Sequence, residues 1–146
     1  MTGREPYLSA AEALLRESGC IVRRWRSRST GIAYTESVEW EIEVPEPRGP
    51  VSFATFAHEV GHQMLHRRNS KPRWREELEA WEYALAQFER FGLPGEDRAR
   101  ADAAKSLARA AEKAVRRSRR GSDLAREILL VFPEWAADEW GVWVQT

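Results

Sequence analysis

One cysteine, Cys20, is all the chain carries, so no internal disulfide framework can form and a reducing compartment fits. Also missing is any apolar stretch approaching the roughly 18 residues that span a bilayer. No N-terminal apolar run follows a basic start, which predicts a cytoplasmic protein with no membrane partner. Net charge is absent as well: 23 Lys and Arg balance 23 Asp and Glu, so no overall field drives the chain onto nucleic acid. What the 146 residues do contain is seven tryptophans and a charged fraction of 32%. That length is enough to bury a core as one domain without staples.

The strongest local signal is His58-Glu59-Val60-Gly61-His62, an H-E-x-x-H pattern inside a helix-patterned run. Two histidines four apart on a helix project from one face roughly 6 Å apart, within reach of a single metal ion. Zinc suits them best, because it accepts neutral imidazole nitrogens at about 2.0–2.1 Å and its catalytic sites pair three protein ligands with an open position. Glu59, beside the first histidine, is placed to take a proton from water and return it to a leaving group. On a helical wheel Val51, Ala54 and Leu65 share the histidine arc, while Phe53, Phe56, Val60 and Met64 lie opposite, so the helix is predicted to be buried on both faces. The competing reading is a pair of core histidines satisfied by backbone carbonyls.

A third ligand is sought in Trp74–Phe88, where Trp74, Leu78, Trp81, Leu85 and Phe88 form the stripe of a core-packed helix. Of its glutamates, Glu77 falls inside that stripe, Glu79 falls on the opposite side, and Glu76 and Glu82 flank it. A buried carboxylate needs a positive partner, and a metal would supply one. The alternative is a salt bridge to Arg73 or Arg75. Glu76, Glu79 and Glu82 are expected on a solvated face. His66, about 12 Å of helix rise from His58, is too far to share one ion, and is expected to support the ligands or pack at the helix end.

Together, His58-Glu-Val-Gly-His-Gln-Met-Leu-His66 and Glu77-Leu-Glu-Ala-Trp-Glu-Tyr-Ala84 resemble the H-E-x-G-H-x-x-L-H and E-x-x-A-x-x-(aromatic)-A arrangement of the ImmA/IrrE family, small gluzincin-type metallopeptidases. The resemblance covers roughly residues 31 to 88. It implies zinc held by His58, His62 and Glu77, Glu59 as general base, a peptide or protein substrate, and an α+β, minimal zincin-like fold. In that fold a small, mostly antiparallel sheet packs on the metal helix, with added C-terminal helices. The chain departs from the gluzincin pattern at Trp81, where Asp or Asn commonly accepts a hydrogen bond from a ligand histidine. An indole N–H only donates, so another carboxylate or a backbone carbonyl must take that role.

The whole chain, 1–146, is expected to be one zincin-like domain, with a metallopeptidase core over about 20–91 and a helical C-terminal extension over about 96–146. Ser9-Ala-Ala-Glu12 forms a capping box that predicts the start of a short helix, with Leu8, Leu14 and Leu15 as contacts and Gly19 as its stop. Residues 20–28 are basic and 31–45 acidic, so adjacent strands can pair charges across a sheet. Val38, Trp40, Ile42 and Val44 alternate with glutamates as in a half-buried strand. Residues 37–44 are the candidate edge strand for receiving a peptide, and their glutamates would favour basic ones. Tyr34, Tyr83 and His66 are candidate oxyanion donors. A long helix is predicted from about Glu96 to Arg120, then another over Ser122–Phe132, and Trp135, Trp140 and Trp143 are expected to fold the tail onto the body.

The function expected first is zinc-dependent hydrolysis of a peptide bond by a metal-activated water, with Glu59 as base. A catalytically silent zincin-fold binding module stands second. Nucleic-acid binding through Arg116–Arg120 with Arg67, Arg68 and Lys71 stands third.

Overall fold

Proline at the second position of a helix costs nothing, because its missing N–H is unpaired there in any case. Accordingly α1 (Glu5–Ser18) starts around Pro6 rather than at Ser9, which lies inside the helix. Leu14 is fully buried beneath it, Leu15 packs partly, Leu8 is exposed, and Gly19 ends the helix in the left-handed conformation. The structure is a computed structural model that describes residues 3–67 and 71–145, with side chains as far as Trp140.

Three strands follow: β1 (Ile21–Arg26), β2 (Ile32–Ala33) and β3 (Glu41–Pro45). Their order is β1-β3-β2, with β3 parallel to β1 and antiparallel to β2. The fold is thus α+β as expected, but the sheet is mixed rather than mostly antiparallel. Alternation along 38–44 also overstated the strand: of the four alternating apolar residues only Ile42 and Val44 are buried, and Val38 is exposed in a turn that begins with Ser37 N–H donating to Tyr34 O (3.2 Å). The turn reverses the chain so that β2 and β3 pair, while the alternating pattern runs on through the break. Across the parallel pair, Arg23 meets Glu41 at 3.7 Å, one of the charge pairings expected between the basic and acidic runs.

Pro50 opens α2 (Pro50–Leu65), where Ser52 Oγ accepts from the Gly49 N–H at 3.1 Å. From Phe53 to Gln63 every residue of α2 is buried, which agrees with a helix apolar on both faces. Next, α3 (Arg73–Phe91) buries the predicted stripe of Trp74, Leu78, Trp81, Leu85 and Phe88. The two helices touch closely at Gly61, where a Cβ would sit 2.9 Å from Tyr83 Cδ1 and 3.3 Å from Ala80 O.

After α3 the chain forms α4 (Glu96–Arg117), α5 (Ser122–Val131) and α6 (Glu134–Gln145). Helix α4 stops three residues before the expected end: Ser118 is extended, and Arg119 and Arg120 lie in the connection. Leu107 is buried on it beside the small residues Ala103, Ala104 and Ala111. The tail does fold back, since Trp140 is 1% exposed and stacks near Phe132 (5.8 Å), which in turn touches Trp74 (6.1 Å). Trp135 packs partly against the same core; the Trp143 side chain lies outside the described residues. No helix among the described residues is long and apolar enough to cross a membrane.

Candidate metal centre

Helix periodicity sets His58 and His62 one turn apart on α2, and the short connection to α3 brings Glu77 opposite them. His58 Nε2 lies 3.0 Å from Glu77 Oε2, His62 Nε2 lies 3.1 Å from Glu77 Oε1, and the two imidazole nitrogens are 3.1 Å apart. Ligand atoms of all three residues fall within 4.8 Å of one another. Ligands about 2.05 Å from a tetrahedral centre stand about 3.3 Å apart, so the triangle has the size that zinc requires. Both histidines are buried and the Glu77 side chain is 13% exposed. Glu77 also pairs with Arg73 Nη2 at 2.9 Å, the alternative partner weighed from sequence, yet this does not displace it from the histidines.

Two further contacts fix where the protons sit. His66 Nε2 is 2.9 Å from Glu79 Oε1, and His66 Nδ1 is 3.0 Å from His62 Nδ1. Because a carboxylate only accepts, His66 donates from Nε2, leaving its Nδ1 to accept from His62 Nδ1–H. His62 thereby turns Nε2 toward the Glu77 carboxylate and His58. A buried carboxylate and two imidazole nitrogens facing one another this closely make a two-histidine, one-carboxylate donor set, which fits zinc. Lys71 Nζ holds both Glu79 oxygens at 2.9 Å and completes the chain.

That relay corrects the expectation of a solvated Glu79 and places His66 against His62 and Glu79 at the end of α2. It also supplies His62 with the orienting partner that Trp81 cannot provide. A wheel drawn for α3 alone cannot show that the end of α2 covers the Glu79 side. Trp81 instead stacks on the His58 ring, with centroids 4.0 Å apart and planes inclined by 30°. His58 Nδ1 and Trp81 Nε1 are buried without a hydrogen-bond partner among the described residues. Glu76, expected in solvent, is 3% exposed, and its burial pushes the carboxyl upward. Glu82 is exposed as expected.

Glu59 is 7% exposed and borders the same cavity as His58 and Glu77. Burial pushes its carboxyl up to about 7, with the charge of His62 opposing and that of Glu77 reinforcing the shift. Burial also acts to raise Glu77, but the two imidazoles facing it outweigh this and hold it below the usual carboxylate range. The two glutamates are thereby shifted in opposite directions, Glu59 upward and Glu77 downward. Gly31, just before β2, presses on Glu59: a Cβ there would lie 2.6 Å from Glu59 Cγ and 2.9 Å from its Oε2.

The cavity, about 320 Å³, is closed on its far side by Asp102, Ser106 and Arg109 of α4. Sequence inspection missed these three, although with Lys113 and Arg117 they fall within an arc of about 80° on a wheel, a legible signal in a helix otherwise read for its alanines. None of the proposed oxyanion donors lines the cavity. Tyr34 O–H donates to Glu43 on the sheet, Tyr83 packs on Gly61, and His66 is held by Glu79. Residues 37–44 do not border it either, and β3 is the central strand, so it offers no free edge to a peptide. The edge nearest Glu59 is β2. Of the cations considered for nucleic acid, Arg67 binds Gln63 and Ser37 O, Lys71 binds Glu79, Arg116 lies 3.9 Å from Glu112 and Arg120 pairs with Glu127; Arg68 lies outside the described residues. Compared with protein-family models, curated proteins and solved structures, the chain matches none.

Proposed function

We propose that the protein is a zinc-dependent metallopeptidase of the ImmA/IrrE type, hydrolysing a peptide bond in a peptide or protein substrate. One observation carries this reading: the nitrogens of His58 and His62 and the carboxylate of Glu77 converge within 4.8 Å, and buried Glu59 borders the same cavity. Zinc, when bound, supplies a Lewis acid that polarises a carbonyl and acidifies water. Every remaining task falls to side chains. Glu59, titrating near neutrality, takes up a proton and delivers it to the departing amine. Arg109, with no ion-pair partner among the described residues, is the cation on the cavity wall placed to stabilise developing negative charge. The edge strand β2 is the element that would take an extended substrate main chain. With its one thiol buried and unpaired, the protein is assigned to the cytoplasm.

The test compares metal content with turnover. Purified protein should hold about one zinc per chain, and His58→Ala, His62→Ala and Glu77→Ala should each lose it. Glu59→Gln should keep the zinc and cut peptide hydrolysis by roughly 10²–10⁴. Equal hydrolysis by Glu59→Gln and the parent would sink the mechanism.

A second reading, a catalytically silent zincin-fold binding module, is favoured by one observation. His58 Nδ1 lacks an acceptor among the described residues, so one ligand is fixed by stacking alone. A filled zinc site with no cleavage of a diverse peptide library by the parent protein would select this reading.

A further inference from the structure

The cavity at the metal ligands does not end at α4. A second hollow of about 580 Å³ shares Arg73, Glu77, Ser106 and Arg109 with it and runs on between α3 and α4 toward α5. Its charged lining is Arg73, Arg109, Lys113, Arg117 and Arg120, with Glu77 as the one acid. Glu77 is already engaged by two imidazoles and Arg73, and Arg120 is paired with Glu127 at 2.8 Å. Arg109, Lys113 and Arg117 have no ion-pair partner among the described residues. They stand at steps of four on one face of α4, so the trench carries a row of uncompensated positive charge over an apolar floor of Trp74, Ala110, Ala114 and Leu124.

The row is about 12 Å long at 1.5 Å per residue, the length of roughly four residues of extended peptide. Its apolar floor suits side-chain stems, and its cations suit carboxylates at their tips. Nucleic acid is the poorer match. Base stacking needs an open aromatic face, and the trench's one aromatic, Trp74, is 5% exposed. A chain of zero net charge also lacks the broad field that phosphate backbones exploit.

We propose that this trench binds an acidic segment of the polypeptide substrate and leads it to the metal ligands. The proposal rests on the peptidase reading and narrows it, reversing the preference for basic peptides that the glutamates of residues 39–43 suggested. Those glutamates do not border either hollow.

Binding tests it independently of turnover. The full chain carrying Glu59→Gln is titrated with a fluorescein-labelled Glu-rich peptide, and with the same peptide bearing Gln or Lys at each Glu. The Glu-rich peptide should bind about tenfold more tightly than the Gln form, and the Lys form more weakly still. Combining Arg109→Gln, Lys113→Gln and Arg117→Gln, all exposed positions, should abolish that preference while zinc content and thermal unfolding stay unchanged. A control combining Arg4→Gln, Arg16→Gln and Arg24→Gln, exposed positions away from the trench, should keep it. Equal binding of the three peptides, an unaffected trench variant, or equal loss in the control overturns the proposal. So does displacement of the Glu-rich peptide by a lower concentration of single-stranded oligothymidylate, which would mark a nucleic-acid groove. If the preference is found and the parent protein cleaves nothing, the peptidase reading fails and the trench stands.

Discussion

At the scale of single residues, the proposed zinc site depends on groups beyond its three candidate ligands. His66, held by Glu79, faces His62 Nδ1 and so orients the His62 ring with Nε2 toward the site, where it would coordinate zinc. His66→Ala should therefore weaken zinc binding by about 10- to 100-fold with the helical content unchanged, measured by competition with a chromophoric chelator. Parental affinity in that variant would show that the relay orients nothing. Gly31 acts by occupying no space. Its neighbours on the Cβ side include Glu43 O at 3.1 Å, a backbone atom that cannot swing away, so Gly31→Ala must displace the Glu59 carboxylate. Zinc should stay bound and hydrolysis should fall by about 10- to 100-fold, the usual effect of moving a reacting group by an ångström. His58, Glu59, His62 and Glu77 were legible in the sequence because each is defined by helical spacing. The Glu79 contact and the Gly31 approach were not, since both depend on an element packed from outside that spacing.

Elements divide in the same way. Helices α2 and α3 follow from their apolar periodicity, and their mutual distance is set at Gly61, the G of the H-E-x-G-H run. Alanine there gains about 1 kcal/mol in helix propensity. Overpacking against Tyr83 and the Ala80 carbonyl costs about 1–3 kcal/mol, so the cost wins. Gly61→Ala should lose about 1 kcal/mol net and lower Tm by about 3–5 °C, which differential scanning calorimetry would resolve. An unchanged or higher Tm would mean that Tyr83 yields freely. The sheet was less legible. Alternation reports which side chains face the core, but nothing in it reports the turn at 35–39 or the direction of pairing. Those depend on which edge of β3 the chain returns to, and β1 occupies one edge in parallel while β2 takes the other.

At the scale of the molecule, a metallopeptidase core over about 20–91 followed by an extension over about 96–146 does not describe how the site is built. Asp102, Ser106 and Arg109 of α4 form one wall of the cavity at Glu59. Farther on, Phe132 and Trp140 form an aromatic chain with Trp74 of α3, the helix that carries Glu77. Buried Leu107, Ile128 and Trp140 belong to the same cluster as Phe53 and Val60 of the metal helix. Removing α4 to α6 would therefore bare the outer side of α3, including Trp74, at about 25 cal/mol for each Å² of apolar surface returned to water. Losses of that kind weigh heavily against the roughly 5–15 kcal/mol by which domains are stable. A fragment ending at Gly95 should lack a cooperative thermal transition and bind zinc far more weakly than the full chain, even though it retains every ligand. Circular dichroism melting and zinc titration of the fragment would check both. A fragment that melts cooperatively and holds zinc with the affinity of the full chain would show that the last three helices are accessory, and that the wall at Arg109 was added to a site already complete.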